Sequence, residues 1–273
     1  GNIALWTVRH DEGRQIALLK GHTSPVSVLK VTPDEFGAVS GSWDKTIKVR
    51  AASNFGGNAM YWDLNTGQAV RTFDKHISQI SAISFRPDWR DSEPPMSLDP
   101  DQGPADGADT AGGRPVPIML STSIDGKCII WDVRDPTPIP RDFGIPHKTP
   151  PWALSNTWNV TGDRIYVGRR NNTIDEYDFA SGNLVQSLRL PINSGPVSAL
   201  HIMPNNRHLI CCSLDNIRMW DLQKPQEKKG SVPFQIVSGH HGGTISQIFI
   251  DPSQRFMVSA SGNRGWDGPS NKN

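Results

Sequence analysis

Serine, histidine and aspartate recur in this chain in sets that invite a hydrolase reading. His22, Ser40 and Asp44 stand together with Trp62, and His76, Ser121 and Asp125 repeat the set with Trp131. Nucleophilic catalysis needs one serine, one base and one orienting acid in a single pocket beside an oxyanion hole. Here the trio recurs repeat by repeat with a tryptophan attached, which one active site does not require. The same groups suit a relay of hydrogen bonds, with indole N–H donating to hydroxyl, hydroxyl to imidazole and imidazole to carboxylate. Each polar group that folding buries then has a partner. The sets are assigned as structural tetrads, and no catalytic residue is expected.

Other reactive patterns are weak. No phosphate-cradling glycine loop, metal-ligand spacing or activated Cys–His pair stands out. His240-His241 is followed by Gly242-Gly243 without a nearby carboxylate. Neighbours in a strand point to opposite faces, so the doublet is expected in a linking loop rather than around a metal. Cys128 and the vicinal Cys211-Cys212 lie in apolar runs and are expected as buried thiols, not as a disulfide framework or zinc site. No cofactor, metal or small-molecule substrate is expected, and the chain is not read as an enzyme.

The elements that must hold these residues are short strands. The pairs Trp62-Asp63, Trp131-Asp132 and Trp220-Asp221 each close an apolar run, with a weaker copy at Tyr177-Asp178. Gly21-His22 precedes the first pair, and Gly239-His240 repeats it near the end. A Gly-His…Trp-Asp unit returning every forty-odd residues is the mark of WD repeats, one four-stranded propeller blade per unit. Runs such as Val26-Ser27-Val28-Leu29-Lys30-Val31 and Ile80-Ser81-Ala82-Ile83-Ser84-Phe85 alternate with period two, as strands do. The fold class is all-β, a WD-repeat β-propeller of which about five blades are covered at ~43 residues each.

Within one propeller domain, the reading assigns the end of a blade to 1–20 and a blade with an insertion near 48–60 to 21–74. A blade with an acidic Pro/Gly loop at 89–116 takes 75–145, and a degenerate blade takes 146–190. A further blade takes 191–238, and a last partial blade 239–273. The chain is read as opening partway through a repeat. The acidic loop carries Asp91, Glu93, Asp99, Asp101, Asp106 and Asp109 against Arg90 and Arg114. It is expected as a surface spacer able to steer a basic partner.

Composition narrows the partners. The 273 residues include 28 basic and 27 acidic side chains, for a formal charge of +1. That balance gives no support to bulk electrostatic capture of nucleic acid, and sequence-specific binding to it is not expected. No apolar run reaches the length of a membrane span. Propellers present loops around the channel mouth. The residues that precede the turn positions there are Trp43, Ile124, Arg170 and Leu214. Trp43 and the pair Arg169-Arg170 are the candidate partner-binding rim, since Trp and Arg are favoured anchors. Trp152 and Trp158 are expected in the core.

Several stretches are more individual than the generic repeat. They are 1–10, Ser40-Gly41-Ser42-Trp43-Asp44-Lys45, Trp62-Asp63-Leu64-Asn65-Thr66-Gly67, Tyr166-Val167-Gly168-Arg169-Arg170-Asn171 with Glu176-Tyr177-Asp178, and Ser261-Gly262-Asn263-Arg264-Gly265-Trp266. Together they resemble the WD-repeat, TATA-binding-protein-associated subunits of the fungal SAGA transcriptional coactivator complex, over nearly the whole chain. The resemblance implies a seven-bladed ring of which this chain is the C-terminal part, a place in the nucleus, and a non-catalytic scaffold role in RNA polymerase II transcription. The implied partners are the TATA-binding protein and other SAGA subunits. The alternative is a substrate-recognition adaptor of a ubiquitin ligase that reads phosphopeptides through clustered arginines.

Overall fold

The computed structural model describes residues 1–10, 12–32, 37–43, 57–63, 68–87, 118–133, 138–139, 143, 151–214, 216–223, 234–238, 243–251 and 255–262, with backbone alone at 57–63, 68–71 and 138–139. Asp44, most of the 48–60 insertion, the acidic loop and the His240-His241 doublet lie outside the described residues.

Strands dominate. The first two, β1 (Asn2–Val8) and β2 (Gly13–Lys20), pair antiparallel as a two-stranded sheet. The next four, β3 (Val26–Val31), β4 (Gly37–Ser42), β5 (Gly57–Asp63) and β6 (Gln68–His76), form a four-stranded meander. A second meander joins β7 (Ile80–Phe85), β8 (Ile118–Ser123), β9 (Cys128–Asp132) and β10 (Pro138–Ile139). The third contains β11 (Ala153–Trp158), β12 (Arg164–Arg169), β13 (Thr173–Asp178) and β14 (Leu184–Arg189). The fourth contains β15 (Ala199–Ile202), β16 (His208–Cys212), β17 (Ile217–Asp221) and β18 (Phe234–Val237). β19 (Thr244–Ile250) and β20 (Met257–Gly262) end the described chain as a pair.

Short connections between sequence neighbours favour this antiparallel order, because a tight turn returns the chain beside its own last strand. Register makes the sheets equivalent. Ser40 faces Leu29, Ser121 faces Ile83, Val167 faces Asn156 and Cys211 faces Leu200. On the third strands Trp62, Trp131, Tyr177 and Trp220 occupy one position. β5 begins at Gly57, and Ala59 and Met60 pair with Gly41 and Ser40. The end of the stretch assigned to the insertion therefore belongs to the ladder, with a register shift between Gly57 and Ala59 on the β6 side.

The core lies between sheets, not at a single centre. Val39 and Phe73 of the first meander pack against Ile80, Ile83, Met119 and Trp131 of the second. Cys128 and Ile130 turn the other way, onto Trp158, Val167 and Tyr177. The second strands of the four-stranded sheets, β4, β8, β12 and β16, are thus buried on both faces. The fourth strands are half exposed, and Leu184 and Val185 of β14 face solvent. Alternation sends successive side chains to the two neighbouring sheets. The first strands β3, β7, β11, β15 and β19 gather around a channel of about 550 Å³.

Candidate functional site

The second sheet holds a complete tetrad. Trp131 Nε1 donates to Ser121 Oγ at 2.7 Å, and that oxygen lies 2.8 Å from His76 Nε2. His76 Nδ1 lies 3.1 Å from Asp125 Oδ2. A carboxylate can only accept, so the ring proton sits on Nδ1 and Nε2 accepts from the hydroxyl. Asp125 also accepts from the N–H groups of Ile77 at 3.0 Å and Lys127 at 2.8 Å. Burial works to raise this carboxyl, but the His76 hydrogen bond and charge with the two backbone donors outweigh it and hold it below 3.8. Ser121 is fully buried. Its oxygen already serves an indole and an imidazole, so it has no approach for a substrate carbonyl. The histidine comes from β6, the last strand of the first sheet, so the set ties that strand to β8, β9 and the turn between them in the second.

The first sheet keeps the same start, with His22 Nε2 2.6 Å from Ser40 Oγ and both residues buried. Asp44 and the Trp62 side chain lie outside what is described. The fourth sheet substitutes a thiol for the hydroxyl, and Trp220 Nε1 donates to Cys211 Sγ at 3.2 Å. Burial pushes the Cys211 thiol up to about 11 and the adjacent Cys212 up to about 12. All three cysteines are buried and none is in a disulfide.

The third sheet departs furthest, and its departure corrects the place assigned to Arg169. Val167 stands where the tetrad serine would be, and Tyr177 where the tryptophan would be. Arg169 is 0% exposed, so it is not a rim residue. Its Nε donates to Asp175 Oδ2 at 2.6 Å, and one terminal nitrogen donates to the Tyr177 hydroxyl at 2.8 Å. The other reaches back to the Gly126 carbonyl at 2.9 Å, in the turn next to Asp125. Ser187 Oγ donates to the second Asp175 oxygen at 2.6 Å. Burial works against the guanidinium charge, but Cys128, Tyr177 and Asp175 around it raise its pKa above the ordinary value. A buried charge is tolerated only when paired and fully hydrogen-bonded. The sequence shows Arg169 beside the exposed Arg170, and nothing local reveals that the first is turned inward.

The rim itself is defined by a repeated backbone contact. Trp43, Ile124 and Arg170 donate N–H to the carbonyls of Pro25, Gln79 and Trp152, each just before a first strand. Leu214 makes the matching bond to Ser194. These residues therefore ring one end of the channel, called here the turn end. Trp43 is 54% exposed. The Arg170 guanidinium lies 4.1 Å from the centre of the Trp152 ring. Trp152 is 41% exposed, which overturns its expected place in the core, whereas Trp158 is buried against Phe179. Trp152 stands outside because it precedes β11 and serves as the platform for Arg170.

Sequence reasoning missed a set of serine clasps around the channel. Ser27 Oγ donates to the Ile80 carbonyl at 2.7 Å, and Ser81 Oγ to that of Ala153 at 2.6 Å. Ser155 continues to Val197 at 3.0 Å, and Ser198 to Ile245. Each clasp links a first strand to the next. Register shifts at Val26/Val28 and Ile80/Ala82 leave Ser27 and Ser81 out of the ladder and free to reach across. The signal was the recurring pair Val26-Ser27, Ile80-Ser81, Val197-Ser198 and Ile245-Ser246. Among the described residues no group of three His, Cys, Asp or Glu side chains is placed to hold a metal ion.

Antiparallel four-stranded sheets fanned about a channel, with a Trp–Ser–His–Asp set complete in one and Trp, Trp, Tyr and Trp at one position of the third strands, define a β-propeller of the repeated Trp-Asp class. The chain belongs to the SPT8 beta propeller family, whose model matches residues 1–94 and 116–273. It is 36% identical to SAGA complex subunit Spt8 of Schizosaccharomyces pombe over 320 residues, covering 98% of this chain and 58% of that protein. It is 32% identical to SAGA complex subunit SPT8 of Saccharomyces cerevisiae over 325 residues, covering 99% and 51%. A more distant match is nuclear distribution protein PAC1 of Coccidioides posadasii, 27% identical over 274 residues, covering 92% of this chain and 48% of that protein. The chain thus spans about half the length of the first two relatives.

Proposed function

We propose that this chain is the propeller part of a non-catalytic scaffold in a SAGA-type transcriptional coactivator complex. It acts in the nucleus, in RNA polymerase II transcription, and it binds or delivers the TATA-binding protein. The observation that carries this reading is the 36% and 32% identity to two SAGA complex subunits across nearly the whole chain. The geometry supports it in kind: the hydroxyl, imidazole and carboxylate of Ser121, His76 and Asp125 are taken up by hydrogen bonds to one another, and Trp43 and Arg170 are exposed. A rigid surface loses little ordering entropy on docking. The acidic segment between β7 and β8 supplies charge that draws a basic partner into encounter.

Titrating the full-length parent against the TATA-binding protein at increasing salt tests the finer part. Saturable binding that weakens with salt is expected, and deletion of 89–116 slows association while leaving dissociation unchanged. A folded, monodisperse parent that does not bind at any salt contradicts it. The ubiquitin-ligase alternative needs clustered arginines at the channel mouth. Burial of Arg169 removes one of its two candidates and leaves Arg170 as the other.

A further inference from the structure

The described ion pairs between exposed groups include two at the far end, where Arg164 meets Asp178 at 3.1 Å and Arg207 meets Asp221 at 2.7 Å, while Arg255 there is exposed with no ion pair among the described residues. The turn end gathers a set of exposed cations. Fourth strands run toward that end, so β2, β6 and β14 close there on Lys20, Lys75 and Arg189. These three and Arg170 are exposed and form no ion pair among the described residues. Among the described residues one exposed carboxylate, Asp74, stands against them, since the Asp125 side chain is 1% exposed and bonded to His76.

Apolar side chains fill the space between the cations. Ile192 is 91% exposed on the short 3-10 turn Ile192–Ser194, and Ile77 is 55% exposed one residue after the tetrad histidine. Leu214 at 47% and Trp43 at 54% complete the circuit. Exposed apolar side chains gathered on one face mark a contact surface, while scattered ones do not. Arg170 is already flattened on Trp152, so its planar donors are held ready with little rotamer freedom left to lose.

We propose that the turn end docks an acidic protein segment that carries aliphatic or aromatic side chains. This inference rests on the scaffold reading above and adds the chemistry of one partner. Carboxylates of the segment pair with Arg170 and the outer cations, and its apolar side chains cover Ile192, Leu214 and Trp43. A protein segment fits better than nucleic acid. The cations stand apart around a ring instead of tracking a phosphate backbone, and Ile192 and Leu214 offer no base a stacking face. A basic partner approaching this end meets like charge. The basic TATA-binding protein is therefore not the partner proposed for this end.

The test uses the full-length parent and a labelled twenty-residue peptide of alternating Asp/Glu and Leu/Phe, read by fluorescence anisotropy. Three comparison probes accompany it: the Asn/Gln counterpart, poly-glutamate of equal charge, and a single-stranded oligonucleotide. The acidic apolar peptide is expected to bind tightest, and Arg170→Glu and Ile192→Ser each weaken it about tenfold, the effect of losing one anchor. Arg255→Glu at the far end leaves it unchanged. Poly-glutamate or the oligonucleotide binding as well as the peptide overturns the proposal, as does binding indifferent to both substitutions, or none. Binding of the TATA-binding protein by the same variants is measured in parallel. If it persists while the peptide fails, only this inference falls.

Discussion

Asp125 ties the last strand of the first sheet to the second through three contacts of its carboxylate, with the His76 ring and the backbone N–H groups of Ile77 and Lys127. Asp125→Ala removes the acceptor for a buried imidazole and is expected to cost about 3 kcal/mol, seen as a lower denaturation midpoint with unchanged slope. The pH dependence follows from the depressed carboxyl. Between its folded value and the unfolded 3.8 the unfolded chain binds more protons, so stability rises with pH there. The contribution is fully present above 3.8 and lost as pH falls through the folded value. Asp125→Asn should flatten that acid limb, and an identical acid limb in the variant contradicts the assignment. At Arg169 the prediction is non-additive. Arg169→Met leaves the buried Asp175 carboxylate unpaired and costs about 3–5 kcal/mol, whereas Arg169→Met with Asp175→Leu costs less than the single change. Thermodynamic cycles on the purified parent decide it, and additive losses would show that the pair is not coupled.

Strands and their order were legible because apolar alternation, Trp-Asp endings and turn residues all repeat, and one register explains every copy. The tetrad of His76, Ser121, Asp125 and Trp131 was legible for the same reason. The third sheet was harder, because Val167 and Tyr177 erase the usual residues and the replacement, Arg169 with Asp175, has no counterpart in the other sheets. Whether an arginine points inward depends on a carboxylate of the adjacent strand and a carbonyl of the neighbouring sheet, which local pattern does not encode. The clasps hid for another reason: a serine in a strand reads as a solvent-facing residue until the neighbouring sheet is placed. Between sheets there is little room to spare. A Cβ added at Gly41 would come within 2.8 Å of Ile80 Cγ2 and Val28 Cγ1, and one at Gly168 would collide with Ser155 Oγ and Val197. Gly168→Val is therefore expected to destabilise by about 1–3 kcal/mol through overpacking. Ser81→Ala, which loses one clasp without a clash, costs about 1 kcal/mol. Thermal melts of the two variants should rank in that order, and the reverse ranking contradicts the packing described here.

At the scale of the molecule, stability is spread over slabs between consecutive sheets, and each slab is built from residues of both neighbours. Arg169 extends that dependence by reaching from the third sheet to the turn of the second. The rim that carries Ile124, Trp152 and Arg170 is consequently held by contacts that cross between sheets, which suits a surface that must stay in shape while partners dock. Such an architecture places function in exposed loops and leaves the repeated polar residues to hold them. The most direct test is affinity purification of the tagged full-length parent from nuclear extract, with quantitative mass spectrometry of what accompanies it. The account predicts coactivator subunits of the SAGA type at constant ratio to the bait, lost together when Asp125→Ala loosens the propeller. A folded parent that returns alone, or with ubiquitin-ligase components in place of coactivator subunits, would contradict it.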